Sequence, residues 1–354
     1  MRIFKSRWLA IPLLPLSALY LIGWGLRRIA YLTGLKRPVR VEAYVISVGN
    51  LTVGGSGKTP WVIWLGEQLL RRGLRVAIVS RGWRRQSRGL RLVSDGRRIL
   101  ASVREAGDEP YLIARRLPSA VVIVDADRIR ASRFAIERYG ANVILLDDAF
   151  QHWSIARDLD ILLVDSGFGL GNRYVVPAGP LREPIGQMRR AHEVVLTRFR
   201  PDDPFGAHLW VELRRRASCP VTRAELRAIA YIRSDGSPVG LDTLRGAKVV
   251  AVAGIGSPEQ FFRTLAEAGV EILGQWCFPD HHWFRARELA AIEARARRFG
   301  AEAVVTTEKD LVRAQPLLSG EGLPWLALRI DLAPCAEDLP HWETLLDQVC
   351  RIVQ

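Results

Sequence analysis

Residues 44–60 read Tyr-Val-Ile-Ser-Val-Gly-Asn-Leu-Thr-Val-Gly-Gly-Ser-Gly-Lys-Thr-Pro, and no other stretch restricts the fold as much. The apolar run Tyr44 to Val48 has the character of a buried strand. It feeds a turn made of Thr52, Val53, Gly54, Gly55, Ser56 and Gly57, which ends in Lys58-Thr59, and a helical pattern follows from about Pro60. Strand, glycine-rich turn and helix in that order form a phosphate-binding loop, in which successive backbone N–H groups cradle phosphate oxygens. The Lys58 ammonium then reaches the terminal phosphates and the Thr59 hydroxyl ligates Mg²⁺. Pro60 suits the first helical turn, where its missing N–H is not needed. One position departs from the usual G-x-x-x-x-G-K-[ST]: Thr52 stands where the pattern has Gly. The expected ligand is a nucleoside triphosphate.

The rest of the chain fits the α/β class that this loop requires. A helical segment runs from Trp61 to about Arg72, and a strand at Val76 to Val79 leads into Ser80-Arg81-Gly82. Further short apolar runs end in polar residues: Val121 to Val124 before Asp125, Val143 to Leu146 before Asp147-Asp148, Ile161 to Val164 before Asp165, and Val194 to Leu196 before Thr197-Arg198. Helical patterns over Glu109–Arg116 and Ile129–Tyr139 lie between them. Nearly continuous apolar strands alternating with helices predict a parallel sheet covered on both faces, with ligands at the carboxyl ends of its strands. From Leu209 to Asp242 the pattern changes to shorter alternating stretches around Asp235-Gly-Ser-Pro238, a hairpin-like connection. A second α/β pattern follows, with strands at Lys248–Ala253, Val304–Thr306 and Trp325–Leu328 and helices near Pro258–Ala268 and Arg285–Arg298.

The N-terminus carries a second signal. Trp8 to Leu26 is uncharged and apolar, with Arg2, Lys5 and Arg7 before it and Arg27, Arg28, Lys36, Arg37 and Arg40 after it. Pro12 and Pro15 interrupt its first third, leaving an expected helix of about 12 residues from Pro15, roughly 18 Å, against a hydrocarbon core of about 30 Å. The expectation is therefore a helix lying in the cytoplasmic leaflet, with basic flanks on anionic headgroups. A net charge of +14 favours anionic partners. Nucleic acid is not expected among them, because no reading motif or aromatic platform accompanies the charge. The four cysteines, Cys219, Cys277, Cys335 and Cys350, lack metal-ligand spacing and read as reduced thiols.

Several clusters carry chemistry. Asp147-Asp148 closes an apolar strand and is the expected carboxylate site for Mg²⁺. Gln151-His152 follows and is placed to contact substrate or phosphate. Asp108, in Gly107-Asp-Glu-Pro110, is either a helix cap or a carboxylate that activates a substrate hydroxyl. Asp280-His281 supplies the carboxylate–imidazole pairing used to deprotonate hydroxyls. Pro177-Ala-Gly-Pro-Leu-Arg-Glu-Pro184 is a rigid loop carrying Arg182 and Glu183.

These motifs together resemble the tetraacyldisaccharide 4′-kinase family. The resemblance rests on Gly49 to Pro60, Ser80-Arg-Gly82, Gly107 to Pro110, Asp147-Asp-Ala-Phe-Gln-His152, Pro177 to Glu183, Gly254-Ile-Gly256 with Pro258, Asp280-His281 and Thr307-Glu-Lys-Asp310. It implies two α/β/α domains joined by a small β linker, with the site in the cleft between them. The expected division is a membrane-associated helix over 1–40, the P-loop domain over 41–208, the linker over 209–245 and a smaller domain over 246–354. It implies ATP and Mg²⁺ as cofactors and tetraacyldisaccharide 1-phosphate, at the cytoplasmic leaflet of the inner membrane, as acceptor. Carried over by position, Thr59, Asp148, Asp147 and Glu109 form the metal site, and Asp108 with His281 a catalytic dyad aided by Lys58 and Arg128. Gln151, His152, Arg182 and Glu183 bind the substrate. Ala149 departs from the family, which usually has Gly there.

The expected activity is transfer of the γ-phosphate of ATP to the sugar 4′-hydroxyl. The alternative is a P-loop GTPase acting as an assembly factor, for which the candidate base-reading segment is Thr197-Arg-Phe-Arg200.

Overall fold

The computed structural model describes residue 4 and residues 8–318 and 322–354. Arg2, Lys5 and Arg7, expected to flank the apolar segment, lie outside the described residues. A 3₁₀ turn, Trp8–Leu13, opens into helix α1, Leu14–Leu32. This helix has 19 residues, longer than expected. Pro15 sits in its first turn, at the expected start of the helix, and the added length lies beyond Leu26. Arg27 and Arg28 fall inside it, Arg27 over the Trp153 ring and Arg28 over the Trp24 ring.

The elements that follow are β1 (Tyr44–Asn50), α2 (Lys58–Arg71), β2 (Val76–Ser80), β3 (Arg91–Asp95), α3 (Val103–Ala106), α4 (Asp108–Arg116), β4 (Val121–Val124), α5 (Arg128–Tyr139), β5 (Val143–Asp147), β6 (Leu159–Asp165) and β7 (Glu193–Thr197). Next come α6 (Pro204–Arg216), β8 (Val221–Arg233), β9 (Pro238–Val239), β10 (Lys248–Ala253), α7 (Pro258–Glu267), β11 (Glu271–Cys277), α8 (Ala286–Arg298), β12 (Ala303–Thr307), α9 (Glu308–Ala314), β13 (Trp325–Pro334) and α10 (Leu339–Val353). Among the described residues the strands form one curled sheet in the order β11-β10-β12-β13-β8-β7-β6-β1-β5-β2-β4-β3, with β9 on β8.

The segment expected as a run of short alternating stretches differs from that expectation. Its start is helix α6, capped by the Asp203 carboxylate. Its centre is the 13-residue strand β8. Residues Val221–Arg223 of β8 pair parallel to β7, and Ala224–Arg233 pair antiparallel to β13. One strand thus joins two parallel sheets edge to edge. The pairs β13–β8, β3–β4 and β8–β9 are antiparallel and the others parallel.

Helices cover both faces of each half, as the unbroken apolar strands require. Around β1 and β5, Leu65 and Leu69 of α2 pack on one face, and Ala131 and Ala135 of α5 on the other. Around β10 and β12, Phe262 and Leu265 of α7 face Leu289 and Ile292 of α8 across the sheet. The last helix returns to the first half, where Trp342 meets the Trp61 ring at 5.0 Å.

Helix α1 packs the other way round. Its polar and aromatic stripe faces protein: Ser17 donates to the Val175 carbonyl, Tyr20 to the Arg182 carbonyl and Arg27 to the Gln151 carbonyl. Trp24 and Tyr31 both meet Trp153 edge-on. Leu16, Leu19, Ile22, Leu26 and Ile29 are exposed. An apolar stripe facing outward over most of a helix marks it as a candidate membrane anchor.

Candidate active site

A cleft of about 960 Å³ opens between the two halves of the sheet, at the carboxyl ends of the strands. The phosphate loop forms its floor. Helix α2 begins at Lys58, slightly earlier than expected, after Gly57 with φ 79°. A side chain at Gly57 meets two obstacles, that left-handed backbone and the Leu332 methyl 3.0 Å from a Cβ. Thr52 lies outside the tight part of the turn. It forms an antiparallel bridge with Leu181, while Val53 N–H donates to the Pro180 carbonyl and Arg182 N–H to the Leu51 carbonyl. A residue paired in this way has no need of glycine, which accounts for threonine at the pattern's first position. On the other side, Thr197 donates to the Ser56 carbonyl and Arg198 to the Gly55 carbonyl, both at 2.9 Å. At Gly55 and Ser56 the loop is anchored by its carbonyls.

The Lys58 ammonium donates to Asn50 Oδ1 at 3.2 Å and lies 3.6 Å from Asp148. The two aspartates after β5 have separate surroundings. Asp148, with φ 49°, accepts two bonds from Arg182 at 3.0 and 3.1 Å. Burial works to raise its pKa, but the charges of Lys58 and Arg182 outweigh burial and hold it low. Asp147 is 1% exposed and accepts from the Ser80 hydroxyl at 3.0 Å through Oδ2. Its Oδ1 has no hydrogen-bond partner among the described residues. Burial, then the charges of Glu109 and Asp148, push it up to about 6. A buried carboxylate oxygen without a partner is costly unless a ligand meets it. Ala149, the departure from the family, is fully buried and is not among the residues with positive φ, so its methyl meets no backbone conflict.

Mg²⁺ takes one or two carboxylates and completes its shell with phosphate and water. The residues present fit that pattern: Thr59, 2% exposed, and Asp147 with its orphaned oxygen both line the cleft. No cluster of three His, Cys, Asp or Glu side chains with ligating spacing occurs among the described residues. Glu109, expected beside the metal, is ion-paired with Lys309.

On the opposite wall, His281 and Asp108 meet across the two halves. The imidazole Nδ1 lies 2.9 Å from Asp108 Oδ2 and 3.1 Å from Oδ1. Asp108, in the first turn of α4, is 4% exposed, and Arg313 Nη1 lies 3.2 Å from its Oδ2. Burial works to raise this carboxyl, but the His281 bond and the Arg313 and Lys309 charges hold it down at about 2. For His281 burial lowers the pKa, and the bond and charge of Asp108 raise it above its ordinary value. His281 lines the cleft, whereas Asp108 lies behind it. That placement differs from the expectation of Asp108 as the group that takes a substrate proton. It makes the imidazole the exposed member of the pair.

Arg128, 2% exposed at the start of α5, lines the cleft. Burial lowers its pKa to about 10 against the raising charges of Asp147 and Asp148. Gln151, His152 and Arg182 line the cleft as expected. Burial, then the charges of Arg128, Arg27 and Arg157, push His152 down to about 4, so its ring is neutral at pH 7. Glu183 does not line the cleft. It is buried behind the loop, paired at 2.6 Å with Arg190, which is itself held between the Phe150 and Trp153 rings. Sequence reading missed Tyr20 and Arg27 of α1 and Lys309 of the second half, all of which line the cleft. The Lys309 motif was visible as Thr307-Glu-Lys-Asp310, but its partner Glu109 lies 200 residues away.

Comparisons with known proteins point in one direction. The sequence profile of the LpxK family, tetraacyldisaccharide-1-P 4′-kinase, matches residues 9–351. A tetraacyldisaccharide 4′-kinase of Anaeromyxobacter sp. (strain Fw109-5) is 41% identical over 331 residues, covering 91% of this chain and 87% of the relative. One from Geobacter metallireducens is 39% identical, covering 94% of this chain and 96% of the relative. The crystal structure of LpxK from Aquifex aeolicus in complex with ATP superposes with a TM-score of 0.78 at 34% identity. It covers 98% of this chain and all of that one.

Proposed function

The chain belongs to the tetraacyldisaccharide-1-P 4′-kinase family, and from that premise we propose that its cleft transfers the γ-phosphate of ATP to the 4′-hydroxyl of tetraacyldisaccharide 1-phosphate. One observation carries the assignment to this site. The Lys58–Thr59 phosphate loop faces the His281–Asp108 pair across a single cleft.

ATP lies on the loop with its terminal phosphates at Lys58, whose ammonium is already held by Asn50 and Asp148. Thr59 and Asp147 would hold Mg²⁺, which would supply neutralising charge to the terminal phosphates. Asp108, a carboxylate, accepts the Nδ1–H of His281 and so leaves Nε2 as the proton acceptor. The sugar O–H bond breaks toward Nε2, the oxygen bonds the γ-phosphorus, and the bond to the β-phosphate oxygen breaks to release ADP. Arg128 and Lys58 stabilise the charge spread over the transferring group. Arg182, Gln151 and His152 form the part of the wall open to the acceptor, and Glu183 supports that loop from behind through Arg190.

An acylated acceptor would be membrane-borne, and the outward apolar face of α1 supports a cleft that works at the bilayer surface. Its opposite face is bonded to protein from Ser17 to Arg27, which supports a helix lying in the leaflet over one crossing it. A need for ATP supports the cytoplasmic leaflet of the inner membrane as that surface. The switch-protein alternative loses its base-reading segment, since Thr197 and Arg198 are occupied with P-loop carbonyls.

The test is label transfer from γ-labelled ATP to purified tetraacyldisaccharide 1-phosphate in detergent micelles, with Lys58→Ala as control. Labelled lipid is expected from wild type, with a loss of roughly 10²–10³-fold in the variant. Nucleotide hydrolysis without labelled lipid would overturn the reading.

A further inference from the structure

Two sequence motifs remain outside the mechanism, Gly254-Ile-Gly256 and Thr307-Glu-Lys-Asp310, and the structure brings them together directly behind the His281–Asp108 pair. Asp310 in α9 is fully buried. It accepts from Gly254 N–H at 3.0 Å and from the Thr307 hydroxyl at 2.6 Å. It is also ion-paired with Arg313, one turn further along the same helix. The Arg313 side chain is 1% exposed. Its Nη2 also donates to the Gly254 carbonyl at 3.0 Å, and its Nη1 lies 3.2 Å from Asp108 Oδ2. The same Gly254 carbonyl accepts the backbone N–H of His281 at 3.1 Å. His281 has φ 60°, a conformation that persists only where surrounding contacts enforce it. Glycine is required at 254 because a Cβ there would sit 2.8 Å from Asp310 Oδ1.

We propose that Arg313, fixed by Asp310, is a positioning residue that locks the Asp108 carboxylate and thereby sets the ring of His281 for proton acceptance. The proposal rests on the kinase reading above. Arg313 lies between two buried carboxylates: its Nη2 is hydrogen-bonded to Asp310 and to the Gly254 carbonyl, and its Nη1 faces Asp108 as an ion pair. The guanidinium supplies the positive charge that Asp108 needs in order to remain ionised while buried. It also ties the carboxylate to the carbonyl that pins the His281 backbone. Both members of the pair, which come from different halves of the molecule, are thus referred to one rigid point. Arg313 reaches no substrate. It acts through Asp108, and that defines the test.

The experiment is a double-mutant cycle in the full-length protein, reading kcat, KM for each substrate and ATP affinity by direct binding. Arg313→Ala is expected to lower kcat by about 10- to 100-fold with ATP affinity unchanged, and Arg313→Lys to recover part of the loss. In an Asp108→Ala background Arg313→Ala is expected to add nothing further, because the group it acts through is gone. Multiplicative losses in the cycle, or a loss confined to ATP affinity, would overturn the proposal. If Arg313→Ala does not fold, the near-isosteric Asp310→Asn takes its place, with kcat expected to fall about tenfold and a wild-type kcat counting against it. Absence of transfer in the wild type would strike the kinase reading itself, whereas wild-type transfer with undiminished Arg313 variants would strike only this proposal.

Discussion

The two walls of the cleft are built on different principles. The phosphate wall is local at its centre: Lys58 is held by Asn50, eight residues away, and glycine backbone sets the curve of the loop, with its outer carbonyls braced from Thr197 and Arg198, 141 and 143 residues away. The proton-accepting wall is assembled over long range. Asp108 and His281 are 173 residues apart, and the Arg116–Glu308 pair joining the same two halves spans 192. A phosphate site needs N–H groups on a fixed curve, which a short segment encodes by itself. A dyad needs two side chains and a buried counter-charge, which only the folded sheet can bring together. Removing a group from the first wall should therefore damage ATP binding, and removing one from the second should damage turnover alone.

The sharpest break comes at the dyad. His281→Ala is expected to lower kcat by roughly 10²–10⁴-fold with ATP affinity retained. The pH profile sharpens the point. His281 accepts a proton only when neutral, and its pKa is raised above the ordinary 6.5. Activity is therefore lost as pH falls through a value above 6.5. Asp108→Asn removes the charge nearest the ring and leaves burial, which lowers the pKa, opposed only by the charges of Asp280 and Glu109. The acid limb should move to lower pH while the plateau falls. A kcat profile whose limb does not move would separate Asp108 from the ring.

Gly57→Ala probes the phosphate wall with a smaller effect. The left-handed backbone costs a side chain about 1–2 kcal/mol, and the 3.0 Å approach to Leu332 adds to it. ATP affinity is expected to weaken about tenfold, the equivalent of 1.4 kcal/mol, with kcat at saturating ATP changed much less. Equal losses in both would erase the contrast between the walls.

The same contrast explains how much could be read from the chain. The loop, its flanking strand and helix, and the aspartates closing β5 were legible because each is a local pattern. The pairing of Asp108 with His281 came from motif resemblance, because the residues alone set His281 beside Asp280 and left Asp108 as either cap or carboxylate base. Asp147 and Asp148 could not be told apart, because their difference lies in Arg182 and Ser80, which other elements supply. Glu183 looked like its neighbour Arg182 until the fold turned it inward to Arg190. The last turns of α1 were not legible because Arg27 and Arg28, read as flanking charges, lie inside the helix on Trp153 and Trp24. β8 was not legible because its register changes partners midway, from β7 to β13.

The smallest predicted effect concerns Ala149, where local pattern and tertiary setting give opposite answers. By family pattern the position takes glycine, as if the backbone after Asp148 needed a left-handed turn. In the structure that turn is carried by Asp148 itself, at φ 49°. Ala149 donates its N–H to the Val48 carbonyl at 3.1 Å and packs its methyl in the core with Val45 and Ile144. Ala149→Gly therefore relieves nothing. It removes a buried methyl and loosens the unfolded chain, for a loss of about 1 kcal/mol in stability. Thermal unfolding should show that modest loss while kcat and ATP affinity stay at wild-type values. A gain in either kinetic quantity would show that the turn after β5 is strained by alanine, and that part of the phosphate wall depends on this distant packing.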